Sequence, residues 1–240
     1  MKILAIDSTA LVASVALCDD EKLLALCTVN NGNTHSETLL PMVESALKQS
    51  KLSPSDIQLF AVSNGPGSFT GVRIGCATVK GLAFGRDIPT VGVSTLEALA
   101  YNLINADGII CPVMNARRNQ VYNALFKSVN GELVRLCPDR AIAIKDLIDE
   151  LNGKYPDEKV FLCGDGYDIT LTALQKTKAL NTPERARYQS AHSVASCALA
   201  HFEAGECVTD RELVATYLRP CQAERERMER LKAEAENKTN

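Results

Sequence analysis

Positive charge is not in surplus. Lysine and arginine number 26 against 29 aspartates and glutamates, a formal net charge of −3. That excludes a global basic field of the kind that draws in nucleic acid, and RNA contact would need a local patch or a basic partner. No apolar run is long enough to span a bilayer. The opening MKILAID lacks the long apolar region and cleavage site of a signal peptide, so a cytoplasmic location is the expectation. The nine cysteines are scattered, odd in number and never arranged as CxxC. They read as reduced, mostly buried small hydrophobes, not as a disulfide framework or a zinc site. Only three histidines occur, His35, His192 and His201. None has another four residues on, the spacing of a helical metal pair; four after His35 stands Leu39. A Walker lysine, a GxGxxG loop and a GxSxG elbow are also missing.

What is present is ordinary globular material. With 46% apolar and 23% charged residues, the 240-residue chain has enough for one large domain or two small ones. Strand-like runs fall at 2–7, 12–18, 23–29, 57–63 and 89–94. Helical spacing places Leu39, Leu40, Val43 and Leu47 on one face of 35–50, with regular helix expected from near Pro41. Further helices are expected at 72–85 and at 94–103, the latter opened by Ser94 and Glu97 as a capping box. After residue 105 the order restarts. Strand, polar turn, strand, turn and strand fill 109–136, then come a helix at 144–152, a strand at 159–164 and a glycine turn at 164–168. Sliding residues 3–17 forward by 108 sets Ile6 on Met114 and Asp7 on Asn115. A tandem α/β duplication with a cleft between two lobes follows. A helix at 193–206, an extended 215–220 and a charged segment at 223–240 end the chain.

The stretch NGPGSFTGVRIG (64–75) packs four glycines between a strand and a helix. One reading is an anion site at a helix N-terminus, using Gly65, Gly67 and Ser68. The other is a tight turn that lets the helix approach its sheet. Asp7, at the end of the first strand, is either a metal-positioning acid or a turn cap. Its repeat partner Asn115 carries no charge, so a paired-carboxylate site is incomplete. Arg117 and Arg118 stand on a turn facing the cleft, to hold phosphate or carboxylate or to form an exposed basic turn.

In order along the chain stand ILAIDS, SVAL, THSETLLP, NGPGSFTGVRIG, KGLAF, GVSTLEALA, NARRNQVY and YLR. With these the chain resembles the TsaB (YeaZ) family, bacterial accessory proteins of tRNA threonylcarbamoyladenosine synthesis, over about residues 1–220. The resemblance implies an α/β actin-like/Hsp70/sugar-kinase (ribonuclease H-like) fold. Its two duplicated βββαβα lobes would span 1–105 and 106–220, with a charged tail at 221–240. It further implies a non-catalytic scaffold for modification of tRNA adenosine 37, which dimerises with the TsaD transferase or with itself and works with the TsaE ATPase. TsaD itself holds a metal through a His-x-x-x-His pair, and here the second position is Leu39. The alternative is an enzyme in its own right, an ATP-dependent transferase or an M22-like metallopeptidase. No cofactor of its own is expected, with ATP or ADP at a site shared with the partner as the alternative; tRNA contact would be indirect or weak. The family often carries DTST where this chain has DSTA (7–10), and an aspartate where it has Asn115. Family resemblance also places the partner interface on the helices at about 36–49 and 69–84. Its residues here would be His35, Leu39, Val43, Val72, Arg73, Cys76, Val79, Lys80 and Ala83, with Gly71, Gly75 and Gly81 allowing close approach.

Overall fold

Lys2–Asp7 (β1), Ala13–Asp19 (β2) and Lys22–Val29 (β3) are apolar enough to form a meander, and do so. His35–Gln49 (α1), Leu59–Gly65 (β4), Phe69–Ala83 (α2), Thr90–Ser94 (β5) and Thr95–Tyr101 (α3) follow. The sheet runs β3-β2-β1-β4-β5, with β4 parallel to β1 and to β5. This computed structural model describes residues 1–174, 179–219 and 230. The expected charged tail at 221–240 therefore lies outside the described residues, Arg230 apart.

The second half repeats the plan. Gly108–Asn115 (β6), Gln120–Asn123 (β7), Arg140–Ala143 (β10), Val160–Cys163 (β11) and Ala179–Leu180 (β12) give the order β10-β7-β6-β11-β12. That is the first sheet's order, with the same parallel and antiparallel pairings. Ile144–Lys154 (α4) and Tyr167–Ala173 (α5) stand where α1 and α2 do, and Ala191–Glu203 (α6) follows. The duplicated actin-like fold is thus present, with Asp7 and Asn115 both closing the first strand of their lobe. The counterpart of β2 comes in two pieces on one edge of β6: β7 pairs with Val113–Asn115, and Phe126–Val129 (β8) continues in the same register along Gly108–Ile110, with β11 on the opposite edge. Glu132–Arg135 (β9), the third strand read within 109–136, pairs with β8, and β10, which was not expected, pairs with β7, so the two share the third place.

Each face of the first sheet has its own cover. Leu4, Ile6, Val15, Phe60 and Val62 pack under α1 and α2. Ile3, Ala5, Leu59, Ala61 and Val93 pack under α6 through Ala191, Val194, Ala195 and Ala198. So α6 follows the second sheet in sequence yet belongs to the first lobe, and the chain crosses back over the boundary drawn at 105. Between the sheets α3 turns Leu96 and Leu99, with Leu103 just beyond it, toward Ile110, Met114 and Phe126 of the second lobe. Helix α1 begins at His35, six residues before Pro41. Pro41 and Glu37, the residue whose carbonyl the proline leaves without its helical partner, are both exposed, so that carbonyl is not lost into the core.

Glu97 of α3 receives only half of the expected capping box. Its N–H reaches Ser94 Oγ at 3.3 Å, but its carboxylate turns away to His201 Nε2 at 3.2 Å and Arg135 at 3.3 Å. The His201 Nδ1 side meets Glu206 at 2.5 Å, and Arg135 also pairs with Asp139 at 2.6 Å. The hydrogen bond to Glu97 lifts the His201 pKa to about 9 against the opposing pull of burial, and Glu206 adds to the lift. Burial pushes the Glu97 carboxyl up, but His201 and Arg135 outweigh it and leave it below its ordinary value.

Candidate functional site

The turn after β1 is closed on itself. Asp7 is fully buried, one oxygen accepting the Thr9 N–H at 2.9 Å and O–H at 2.7 Å, the other accepting the Ser63 O–H at 2.5 Å. Burial pushes its pKa up, and the Ser63 and Thr9 hydrogen bonds pull against that. This is the turn-capping arrangement, and a carboxylate sealed this way cannot reach a metal in the cleft. The Ser8 O–H bonds the Gly71 carbonyl at 2.9 Å, and the Ser68 N–H bonds the Thr9 carbonyl at 2.7 Å.

Those contacts explain the glycines. A Cβ on Gly67 would lie 2.5 Å from the Thr9 carbonyl oxygen, and one on Gly71 only 2.0 Å from that of Ser8. A Cβ on Gly65, at φ +127°, would lie 2.2 Å from the Thr216 carbonyl oxygen. The loop and the first turn of α2 touch backbone on the turn that, in a phosphate cradle, would stand open. Ser68 caps α2 through a long 3.4 Å bond from the Gly71 N–H.

The second lobe supplies the opposite wall. The Asn115 N–H bonds Asp165 Oδ1 at 3.0 Å, and the Arg117 N–H bonds Asn115 Oδ1 at 2.8 Å. Arg117, Arg118 and Asn119 are successive left-handed residues in a tight turn. Asp165 was not among the expected site residues. Its signal was the match of Gly164-Asp165-Gly166 to Gly65-Pro66-Gly67 at the ends of equivalent strands. Burial raises its pKa, and the Asn115 N–H opposes that.

A cleft of about 830 Å³ lies between these walls. It brings together Gly67, Ser68, His35 and Arg117 with Thr9, Asp165 and Arg219; Gly65 and Arg118 do not line it, and Asp7 is sealed behind it. His35 Nε2 donates to the Ala10 carbonyl at 2.6 Å, since a carbonyl only accepts, and Nδ1 is buried without a partner. One turn on, Leu39 is in the core. Among the described residues no group of three His, Cys, Asp or Glu is placed to hold a metal. Of the acids considered for a metal–nucleotide centre, the first-lobe Asp7 is sealed, its second-lobe counterpart is the amide Asn115, and Asp165 accepts the Asn115 N–H at the cleft wall. An anion would meet Arg117 and Arg219.

The expected interface residues need a correction. Leu39, Val43, Val72, Cys76, Val79 and Ala83 are all buried in the chain's own first-lobe core. Each large one contributes on the order of 1.5–3 kcal/mol to folding by that burial, so none is available to a partner. Gly71 and Gly75 approach Ser8 of the same chain, not a second helix. Arg73 and Lys80 are also engaged internally: the Arg73 Nε–H bonds Tyr217 Oη at 2.9 Å, and Lys80 Nζ bonds the carbonyls of Leu213 and Arg211 at 3.0 and 3.2 Å. The outward face includes Leu40, Pro41 and Glu44 on α1 and Thr70, Arg73, Ala77 and Gly81 on α2, with Phe84 beyond. The apolar stripe of these two helices packs on the sheet beneath them.

Comparison with known proteins follows the same line. A family model described as "TsaD: tRNA N6-adenosine threonylcarbamoyltransferase" matches residues 30–209. The tRNA threonylcarbamoyladenosine biosynthesis protein TsaB of Bacillus subtilis is 35% identical over 225 residues, covering 93% of this chain and 96% of that one. This chain belongs to the TsaB (YeaZ) family. The TsaB protein of Escherichia coli is 40% identical over 132 residues, 53% of this chain and 55% of its own. A Pseudomonas aeruginosa crystal structure, of a protein described as similar to peptidase YEAZ, superposes with a TM-score of 0.79 at 26% identity. It covers 91% of this chain and 99% of that one. Among the described residues no helix of this TsaB-family chain is long and apolar enough to cross a membrane.

Proposed function

We propose that this chain serves tRNA N6-threonylcarbamoyladenosine synthesis as a non-catalytic scaffold for a TsaD-like transferase, working with a TsaE-like ATPase in the cytoplasm. One observation carries the reading: where the transferase has the second histidine of its metal pair, this chain has Leu39, packed in the core, and His35 is spent on the Ala10 carbonyl. An apolar side chain cannot ligate, and a histidine bonded this way stabilises a turn. The sealed Asp7 supports the same reading. Family likeness supplies the partners, and the outward face of α1 and α2 is the surface offered to the transferase or to a second copy. Where ATP or ADP binds at a joint site, Arg117 and Arg219 are the cations this chain contributes.

Reconstitution tests this. Threonylcarbamoyl transfer to tRNA is measured with this chain alone, with the transferase and ATPase alone, and with all three. The expected result is no transfer by this chain alone and transfer by the mixture only when it is present. Robust transfer by this chain alone overturns the scaffold reading in favour of an enzyme.

A further inference from the structure

The motif YLR, residues 217–219, enters the function proposed above only through Arg219. In space it joins the two other motifs nearest the cleft. Its segment is laid along the first lobe from Val208 onward. Val208 and Thr90 exchange backbone hydrogen bonds at 2.8 and 2.9 Å. Leu213 is buried, and Asn64 holds the segment twice, bonding the Val214 carbonyl at 3.1 Å and accepting the Thr216 N–H at 2.7 Å. Tyr217 then stacks on Phe69 of the glycine-loop motif, ring centroids 4.5 Å apart and planes 8° from parallel. Arg73 of the same motif bonds its hydroxyl.

Two residues later the chain has crossed to the other lobe. Arg219 Nη1 donates to the Ala116 carbonyl at 3.2 Å, and its guanidinium lies 6.0 Å from the Tyr122 ring centroid. Ala116 and Tyr122 bracket the β6–β7 turn that carries Arg117, and Arg219 itself lines the cleft. The first-lobe end is held by many contacts. Among the described residues the second-lobe end is held by one charge-assisted hydrogen bond and one cation–π contact, both at partly exposed groups.

We propose that Tyr217-Leu218-Arg219 is a reversible latch across the cleft. Tyr217 is its anchor on the first lobe and Arg219 its bolt on the second. Releasing the bolt frees the turn bearing Arg117 and lets the lobes part. The asymmetry of the two ends sets which end lets go.

The test uses the full chain and two readouts. Nitroxides on keto amino acids replacing exposed Lys48 on the first lobe and Lys145 on the second report the interlobe distance by pulsed electron resonance. Hydrogen exchange reports the amides of 116–122. In Tyr217→Ala, which removes contacts only to the first lobe, the latch predicts a longer, broader distance distribution and exchange at 116–122 faster by about fivefold or more, as expected from losing a charge-assisted hydrogen bond. Arg219→Ala gives the same pair of changes, while exchange at Thr216 stays as in the parent. Tyr217→Phe keeps the stack and falls between. If Arg219→Ala loosens 116–122 without changing the distance, Arg219 is a local brace and the latch is wrong. The latch is equally wrong if Tyr217→Ala leaves the second-lobe turn untouched.

Discussion

Two glycines ten residues apart on α2 permit a controlled test of why the glycine loop is glycine-rich. Gly71→Ala places a methyl 2.0 Å from the Ser8 carbonyl oxygen, far inside contact distance and against backbone that cannot rotate away. Helix α2 must back off the turn, an overpacking cost of about 1–3 kcal/mol. The Ser8 hydroxyl bond to the Gly71 carbonyl weakens with it, about 1 kcal/mol more. Better helix propensity returns up to about 1 kcal/mol. The net is a loss of about 1–3 kcal/mol, and at about 2–4 °C per kcal/mol for a chain of this size Tm falls by roughly 2–12 °C. Gly81→Ala gains the same propensity with nothing within 4 Å of the new methyl. It should raise Tm by about 2–4 °C. Urea midpoints and thermal scans of the two variants under identical conditions decide. If Gly71→Ala is as stabilising as Gly81→Ala, the packing account of the loop is refuted and a cradle open to ligand regains its standing.

Other outcomes follow from the same structure. His201, with its pKa lifted to about 9, contributes stability that is fully present below pH 6.5 and lost as pH rises through about 9. Discounted for its solvent exposure, the effect is about 1–2 kcal/mol, and His201→Gln should flatten the urea-midpoint profile over that window. Asp7 has the opposite chemistry but the same sign: folding favours its protonated form, so it weakens the fold as pH rises from the ordinary 3.8 through the raised value. Asp7→Asn should remove that slope at a change of less than about 1 kcal/mol at low pH, because the amide keeps the Thr9 bonds; a collapse of the fold at acidic pH would count against this. For the partner surface, Leu40→Glu or Ala77→Glu should abolish co-purification with the transferase while leaving Tm nearly unchanged. Val72→Glu puts a charge into the core and should unfold the chain instead. If the two surface variants still bind, the transferase docks elsewhere.

Sequence reading carried the lobes a long way, because strand order in a duplicated sheet leaves a clear trace in alternating apolar runs and turns. It placed Asp7 and Asn115 on equivalent strand ends from a weak register alone. It misjudged Val72, Cys76, Val79 and Ala83 because helical spacing reports an apolar face without saying what covers it. Here the covering element was the sheet, and the outward face of α2 is so poor in large apolar residues that it left no pattern. Arg73 and Lys80 were misread for a related reason. Their partners, Tyr217 and the carbonyls of Arg211 and Leu213, are more than 130 residues distant, and a bond to a backbone carbonyl has no sequence signature. Asp165 was legible only through the repeat, which the weak identity of the halves obscured.

The return of α6 to the first sheet has a consequence for how the chain is made. Residues 1–105 leave the ribosome with much of the face formed by Ile3, Ala5, Leu59, Ala61 and Val93 open to water, since most of the side chains that cover it belong to 191–198. The lobe begun first is thus the lobe finished last, and its exposed face must be kept from other chains while the whole second lobe is synthesised. A fragment ending near residue 105 would keep only Met1, Ala98 and Tyr101 as cover for that face.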